Sequence, residues 1–325
     1  MISSSSSFFS NKLGQIWSNQ LMDFFETLFF WIGILCISHG LFVFYRWIIS
    51  YIGTPINFKK EYQTEWALIT GANSGLGNHL ALSLADQGIN IIGTGRNLES
   101  LETAKQNVEK KGVQFIPVQA DFSDSKGVET VIQAIKDKDV GIAMLNAGFG
   151  IFGPVESLEN EAIHNFVTSM CTSYTQLSKF FISKNSHRKE KSLLFLTASL
   201  AAQTYGPLAT MYCSVKSYKS ALAKHLSHEV RNTNIQVSAI HPGFFSKSRF
   251  FSQLPPFLGK MFTIENIYPT SEEVCQCVLK AAGKTTIIDC SANSLFIRTV
   301  CWISGEFMTN LTSKLLARAA LQKTK

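Results

Sequence analysis

In the stretch MYCSVK (211–216) a tyrosine stands four residues ahead of a lysine. On a helix that spacing stacks Tyr212 and Lys216 on one face, one turn apart. A phenol and an ammonium so placed can move a proton as a pair, or can be two unrelated residues on a solvated helix. The spacing alone does not choose, and the decision falls to what the chain sets at matching distances. Ser199, in FLTASLAA, closes a strand-like run thirteen residues before Tyr212. A strand end and the helix that follows it converge on the carboxyl edge of a parallel sheet, where ligands bind.

Other residues at strand ends point to a dinucleotide. TGANSGLG (70–77) follows the first strand-like run and opens a helix. Gly71 permits a tight turn, Gly75 lets backbone approach a pyrophosphate, and Gly77 allows close helix–strand packing. The helix start supplies amide donors from Asn73, Ser74 and Leu76. The second strand ends in GTGRN, which offers Arg96 and no acid. A ribose 2′-hydroxyl calls for a carboxylate there and a 2′-phosphate for a cation, so Arg96 favours NADPH. Asp121, in ADFSD, is placed to meet the adenine edge. Asn146, Ala147 and Gly148 end the fourth strand along the cofactor ribose, and Pro242 and Gly243 turn the chain beside the nicotinamide.

These positions need a scaffold, and the pattern supplies one. Buried-strand runs (WALIT, NIIGTG, VQFIPVQA, VGIAMLNAG, SLLFLTAS, IQVSAIHPG) alternate with helix-like segments. Alternation of this kind predicts right-handed crossovers and a doubly wound parallel α/β sheet of the Rossmann type. One helix is expected over 160–183, and a short strand at TTIID.

Together TGxxxGxG, the NAG turn, Ser199, Tyr-x-x-x-Lys and Pro-Gly make residues 64–250 resemble the short-chain dehydrogenase/reductase family. Within it, the chain looks most like the membrane-bound very-long-chain 3-oxoacyl-CoA reductases and 17β-hydroxysteroid dehydrogenase type 12-like proteins. The resemblance implies hydride transfer from NADPH to a carbonyl carbon, with a proton passing to its oxygen. A phenol with a pKa of about 10 is a poor acid near neutrality, and a Lys216 ammonium favours the phenolate. By the same resemblance Lys216 and Tyr212 hold the nicotinamide ribose, and Ser199 hydrogen-bonds the substrate oxygen. The sequence departs from the family where an asparagine usually supports a water-linked relay to the lysine: Met170 stands there, with Asn165 five residues earlier. The turn usually begins with asparagine, and here Leu145 does; after Pro-Gly, Lys247 stands where threonine is common. Aromatic-rich 243–262 is expected as a substrate flap, with Phe244 and Phe245 in its apolar wall and Lys247 toward a CoA phosphate. Steroid or retinoid dehydrogenation, and cofactor binding with little turnover, remain alternatives; a homodimer through the Tyr212 helix is a family habit.

Between Glu26 and Arg46 lie nineteen residues without formal charge. At 1.5 Å per residue they span roughly 28 Å, about the hydrocarbon thickness of a bilayer. A signal peptide is disfavoured, because the run starts late and no small-residue cleavage site follows. Asp23 and Glu26 precede the run while Arg46, Lys59 and Lys60 follow, which places the remainder in the cytosol; the resemblance places it at the endoplasmic reticulum. The expected organisation is a tail (1–26, its serine run disordered or weakly ordered), a transmembrane anchor (27–52), a linker (53–63), the reductase domain (64–291) and an amphipathic tail (292–325). Lys and Arg number 30 against 23 Asp and Glu, a net +7 without a long basic block. That charge fits a membrane surface or an anionic substrate and does not suggest nucleic acid. Seven scattered cysteines without Cys-x-x-Cys spacing argue against a zinc site or disulfide framework. A hydrophobic small-molecule substrate partitioning from the bilayer follows from the anchor.

Overall fold

The computed structural model describes residues 3–203, 206, 208–243, 269–291 and 314, with side chains from Gln20 onward. Two compact units divide the chain, residues 1–45 and 46–325. The flap residues Phe244, Phe245 and Lys247 and the expected 292–325 tail, apart from residue 314, lie outside the described residues.

Helix α1 runs from Ser3 to Tyr51. It begins inside the serine run that the sequence assigned to a disordered or weakly ordered tail: once a long apolar helix is nucleated, extending it over serines costs little per residue. Its segment Gln20–Tyr51 is long and apolar enough to cross a membrane. Within residues 20–45 Phe24, Phe29, Trp31, Leu35 and Leu41 are exposed on the helix surface. An apolar surface on all sides suits lipid better than water.

The second unit holds seven parallel strands in the order β3-β2-β1-β4-β5-β6-β7. They are β1 (Trp66–Thr70), β2 (Asn90–Gly95), β3 (Phe115–Gln119), β4 (Val140–Leu145), β5 (Ser192–Thr197), β6 (Ile235–His241) and β7 (Ile287–Asp289). The connecting helices are α3 (Gly75–Ala85), α4 (Leu98–Glu109), α5 (Ser125–Ile135), α6 (Asn160–Val167), α7 (Ser173–Asn185), α8 (Thr210–Glu229) and α9 (Ser271–Ala281). Every residue of β1, β4 and β5 is buried, because helices cover both faces. Alternation along β1 sends Ala67 and Ile69 to one core with α3, α4 and α9. It sends Trp66 and Leu68 to the other core, with α5, α7 and α8. Side-chain caps at Asn97, Asp124 and Thr270 set the starts of α4, α5 and α9, the last through a reciprocal box with Glu273. Strand order reverses between β1 and β4, and a crevice opens at the carboxyl ends there.

Two local expectations change. The linker carries helix α2 (Phe58–Tyr62), whose Phe58 and Tyr62 are both wholly buried in the α3/α9-side core. They are four residues apart, so a single helical turn puts both rings on the face toward the domain. The helix expected over 160–183 is interrupted by a π-helical turn at Thr168–Thr172. Ser173 Oγ lies 3.0 Å from the Thr168 carbonyl and 2.9 Å from that of Phe122. The hydroxyl thus fixes the widened turn against the loop after β3.

Candidate active site

Strand β1 delivers the glycine turn. Gly71 (φ +70°) and Gly75 (φ +54°) occupy the left-handed region that favours glycine. A Cβ on Gly71 would stand 3.1 Å from Ala147 Cα, while one on Gly75 would meet open space. A Cβ on Gly77 would strike the Gly71 carbonyl and come within 2.8 Å of Asn146 Nδ2. Gly77 therefore packs the helix start on the turn and on the end of β4. Ser74, at the N-cap of α3, makes no side-chain capping bond, so the first amides of that helix remain available to an anion.

The turn is locked to β4 by Thr70. Its Oγ1 accepts from the amides of Asn146 at 2.8 Å and Ala147 at 2.9 Å. Asn146 also donates to the Thr70 carbonyl at 3.3 Å. Sequence reasoning passed over Thr70, because its bonds reach across 76 residues of chain to a neighbouring strand.

A cavity of ≈ 1090 Å³ opens along this edge. Gly71, Asn73, Ser74, Gly75, Leu76, Arg96, Asp121, Asn146, Ala147 and Gly148 all line it, as do Ser199, Tyr212, Lys216, Pro242 and Gly243. Of the described candidates only Gly77 is absent from the lining, consistent with its packing role. Arg96 rests its guanidinium 5.5 Å from the centre of the Phe149 ring. Asp121 accepts from the Ser123 amide and hydroxyl at 2.9 and 2.8 Å. These bonds, the amide's first and with help from Arg96, hold its carboxyl below the usual range despite some burial. Asn73 donates to Ser100 Oγ at 2.7 Å, tying the turn to the start of α4.

Ser199, Tyr212 and Lys216 meet on this cavity. Ser199 stands beside the Tyr212 phenol on the cavity wall, and its Oγ accepts from the Ala201 amide at 3.2 Å. Lys216 Nζ donates to the Thr197 carbonyl at 3.1 Å and sits 5.5 Å from the centre of the Tyr212 ring. Burial pulls the Lys216 ammonium down to about 8. Burial also pushes the Tyr212 phenol up, only partly opposed by Ser199. The Tyr-x-x-x-Lys spacing predicts an ammonium that draws the phenol down. In the folded protein desolvation is the larger effect, and Tyr212 is held as a protonated phenol, the form a proton donor needs. Met170 is buried on the cavity wall, whereas Asn165 is not part of the lining. A Cβ on Gly148 would lie 3.2 Å from Met170 Cε and 3.8 Å from Lys216 Nζ, so Met170 and Lys216 flank one point.

The open approach at Gly75, the start of α3 without a side-chain cap and the Arg96 guanidinium on the cavity wall fit a nicotinamide dinucleotide. Comparison with known proteins agrees. Residues 65–256 match the short chain dehydrogenase family, and the chain belongs to it. The sequence is 27% identical over 234 residues to a very-long-chain 3-oxoacyl-CoA reductase of Mycosarcoma maydis, covering 70% of this chain and 64% of that one. It is 24% identical over 268 residues to very-long-chain 3-oxoacyl-CoA reductase-A of Danio rerio, covering 79% and 81%. It is 28% identical over 191 residues to the 17-beta-hydroxysteroid dehydrogenase type 3 of Mus musculus, covering 58% and 62%. The chain thus spans somewhat less than two thirds of the length of the fungal and mouse relatives. Among solved structures, a 7beta-hydroxysteroid dehydrogenase superposes with a TM-score of 0.71 at 21% identity, over 80% of this chain and 99% of that one. A short-chain dehydrogenase from Sphingobium yanoikuyae in complex with NADPH gives 0.63 at 19%, over 74% and 95%; both likenesses concern the fold.

Proposed function

We propose that the protein reduces a lipid ketone to a hydroxyl with NADPH, and that the substrate class is a long-chain 3-oxoacyl-CoA. The observation that carries this reading is the convergence of Ser199, Tyr212 and Lys216 on the same cavity as the glycine turn and Arg96. The α3 amides and Gly75 would hold the pyrophosphate, Arg96 the 2′-phosphate, Asp121 the adenine edge, and Asn146–Gly148 with Lys216 the nicotinamide ribose. When bound, the nicotinamide supplies a hydride to the carbonyl carbon. The chain's own part is the proton. Tyr212 gives its phenolic hydrogen to the carbonyl oxygen, and Ser199 shares the charge that builds there. Lys216, fixed on the Thr197 carbonyl, sets a positive charge beside the phenolate left behind, which favours its formation, and solvent then returns the proton.

Membrane anchoring through Gln20–Tyr51 supports a lipid substrate, because such a ketone is concentrated in the bilayer. The charge asymmetry of the flanks supports a cytosolic catalytic unit, and the acyl-CoA reductases among the relatives support residence in the endoplasmic reticulum. Dimerisation through α8 belongs to the same reading. The test is purified full-length protein in detergent, offered 3-oxoacyl-CoAs, keto-steroids and retinoids with NADPH or NADH. The reading expects NADPH oxidation, fastest with long-chain 3-oxoacyl-CoA. Preference for a keto-steroid would favour the second reading, to which the mouse hydroxysteroid dehydrogenase points. Cofactor binding without turnover of any ketone would favour a binding role, to which Met170 points.

A further inference from the structure

Three residues beyond Lys216, one helical turn further along α8, stands a second lysine that the proton-transfer scheme does not use. Lys219 is fully buried. Its Nζ lies 3.7 Å from Met170 Sδ and 3.3 Å from the centre of the Tyr174 ring. No carboxylate pairs with it among the described residues. The titratable groups facing it are Lys216 on α8, Cys171 on the π-helical turn and Tyr174 on α7. Burial pushes the Cys171 thiol and the Tyr174 phenol up, so neither supplies a countercharge. Tyr174 uses its hydroxyl as a donor to the Ala147 carbonyl.

Two ammonium groups one turn apart in this pocket repel each other at low dielectric. Their surroundings decide which keeps the proton. Lys216 lines the cavity and has the Thr197 carbonyl as acceptor, whereas Lys219 has a thioether and an aromatic face. The ring quadrupole favours a cation by about 2 kcal/mol when desolvated, less than the several kcal/mol that burying an unpaired charge costs.

We propose that Lys219 is a positioning residue that acts through Lys216: it stays a neutral amine, so the pair carries one charge on the cavity side, and a second proton on Lys219 disarms the site. The second proton comes from solvent, and its repulsion displaces the Lys216 ammonium from the Thr197 carbonyl or drives off its proton. Burial and the neighbouring Lys216 charge both hold the Lys219 amine well below the ordinary lysine range, in keeping with this assignment. The same wall carries Met170 in place of a hydrogen-bonding side chain, and the thioether suits a neutral neighbour. The effect on turnover rests on the ketone-reductase reading; the charge state does not.

The test compares full-length wild type, K219M and K219R in detergent by thermal unfolding and by pH profile. Between the folded and unfolded pKa of a lysine that is lowered on folding, the unfolded chain binds the extra proton. Wild-type stability therefore gains from Lys219 as pH rises toward about 10.4 and is penalised below that. K219M is expected to unfold about 4 °C or more above wild type at pH 7, with the gap closing toward pH 10.5. In kcat/KM for ketone reduction, the acid limb should move at least one pH unit lower in K219M. K219R, a permanent cation, should lose at least tenfold while remaining folded. A K219M protein less stable than wild type by the same amount at every pH would overturn the proposal, as would coincident acid limbs in the two proteins. If no form reduces any ketone, a stability gap that closes with pH still supports the neutral amine, and only the ketone reading falls.

Discussion

Lys216 Nζ donates to the carbonyl of Thr197 at 3.1 Å, tying the helix that carries Tyr212 to the strand end that leads into Ser199. The bond ties one of the three candidate catalytic side chains directly to the backbone two residues before another, Ser199. It also orients the ammonium within 5.5 Å of the Tyr212 ring centre.

The first prediction concerns Tyr212. The phenol is held protonated by burial, with Ser199 opposing that shift only in part. Tyr212→Phe keeps the ring, including its packing 5.8 Å from Phe152, and removes the hydroxyl that carries the proton. General acid catalysis contributes about 10²–10⁴-fold. Initial rates of NADPH oxidation should fall by that factor, while NADPH binding measured by fluorescence stays within about threefold. Full activity in the phenylalanine variant would remove Tyr212 from the mechanism.

The second concerns pH. Lys216 is drawn down to about 8 by burial, so its charge is present below pH 8 and lost above it. Because kcat/KM reports groups of the free enzyme, it should fall about tenfold per pH unit above 8 in the reductive direction. Stability runs the other way. The unfolded chain keeps this proton to about 10.4, so the contribution of Lys216 to stability increases between pH 8 and 10.4. A rate profile that is flat to pH 10 would contradict the assignment.

The third concerns cofactor choice. Arg96 lines the cavity at the end of β2 and leans on Phe149. A charge-assisted bond to a 2′-phosphate contributes about 1.5–3 kcal/mol. Arg96→Ala should therefore weaken NADPH binding by roughly 10- to 100-fold and leave NADH nearly unchanged, as read by fluorescence titration with both. Equal losses for the two cofactors would show that Arg96 supports the fold of the site and not the phosphate.

What could be read from the sequence was what is local. The glycine turn, the strand ends and the four-residue spacing of Tyr212 and Lys216 are short-range patterns with fixed geometric meaning, and the structure gathers those described around one cavity. Residues 53–63 read as a linker because five helical residues carry no periodic signal; their burial depends on a groove built by α3 and α9. The π-helical turn was invisible because its stabilising bond joins Ser173 to Phe122, 51 residues away. Lys219 was passed over for a similar reason. A lysine in a helix reads as solvated, and only the packing of α7 and the π-helical turn against α8 shows it buried beneath Tyr174.

Thr70 yields the last prediction, and it separates packing from hydrogen bonding. Its hydroxyl is a single acceptor for two amides, those of Asn146 and Ala147, and the residue is almost wholly buried. Thr70→Val keeps the branched shape that suits the strand but removes the acceptor that the two part-buried amides share. Leaving a buried donor unsatisfied costs about 1–3 kcal/mol, and two such donors predict a loss near the upper end of that range or somewhat above it. For a unit of this size that is a fall in Tm of about 6 °C or more. The damage should also reach the ligand, because Asn146 and Ala147 line the cavity and Gly71 packs against Ala147. NADPH affinity should drop about tenfold in the valine variant. Thr70→Ser, which loses a methyl group and keeps the acceptor, should retain affinity within about twofold. Affinity lost in the serine variant but kept in the valine variant would assign the role of Thr70 to its methyl group and not to the bridge between β1 and β4.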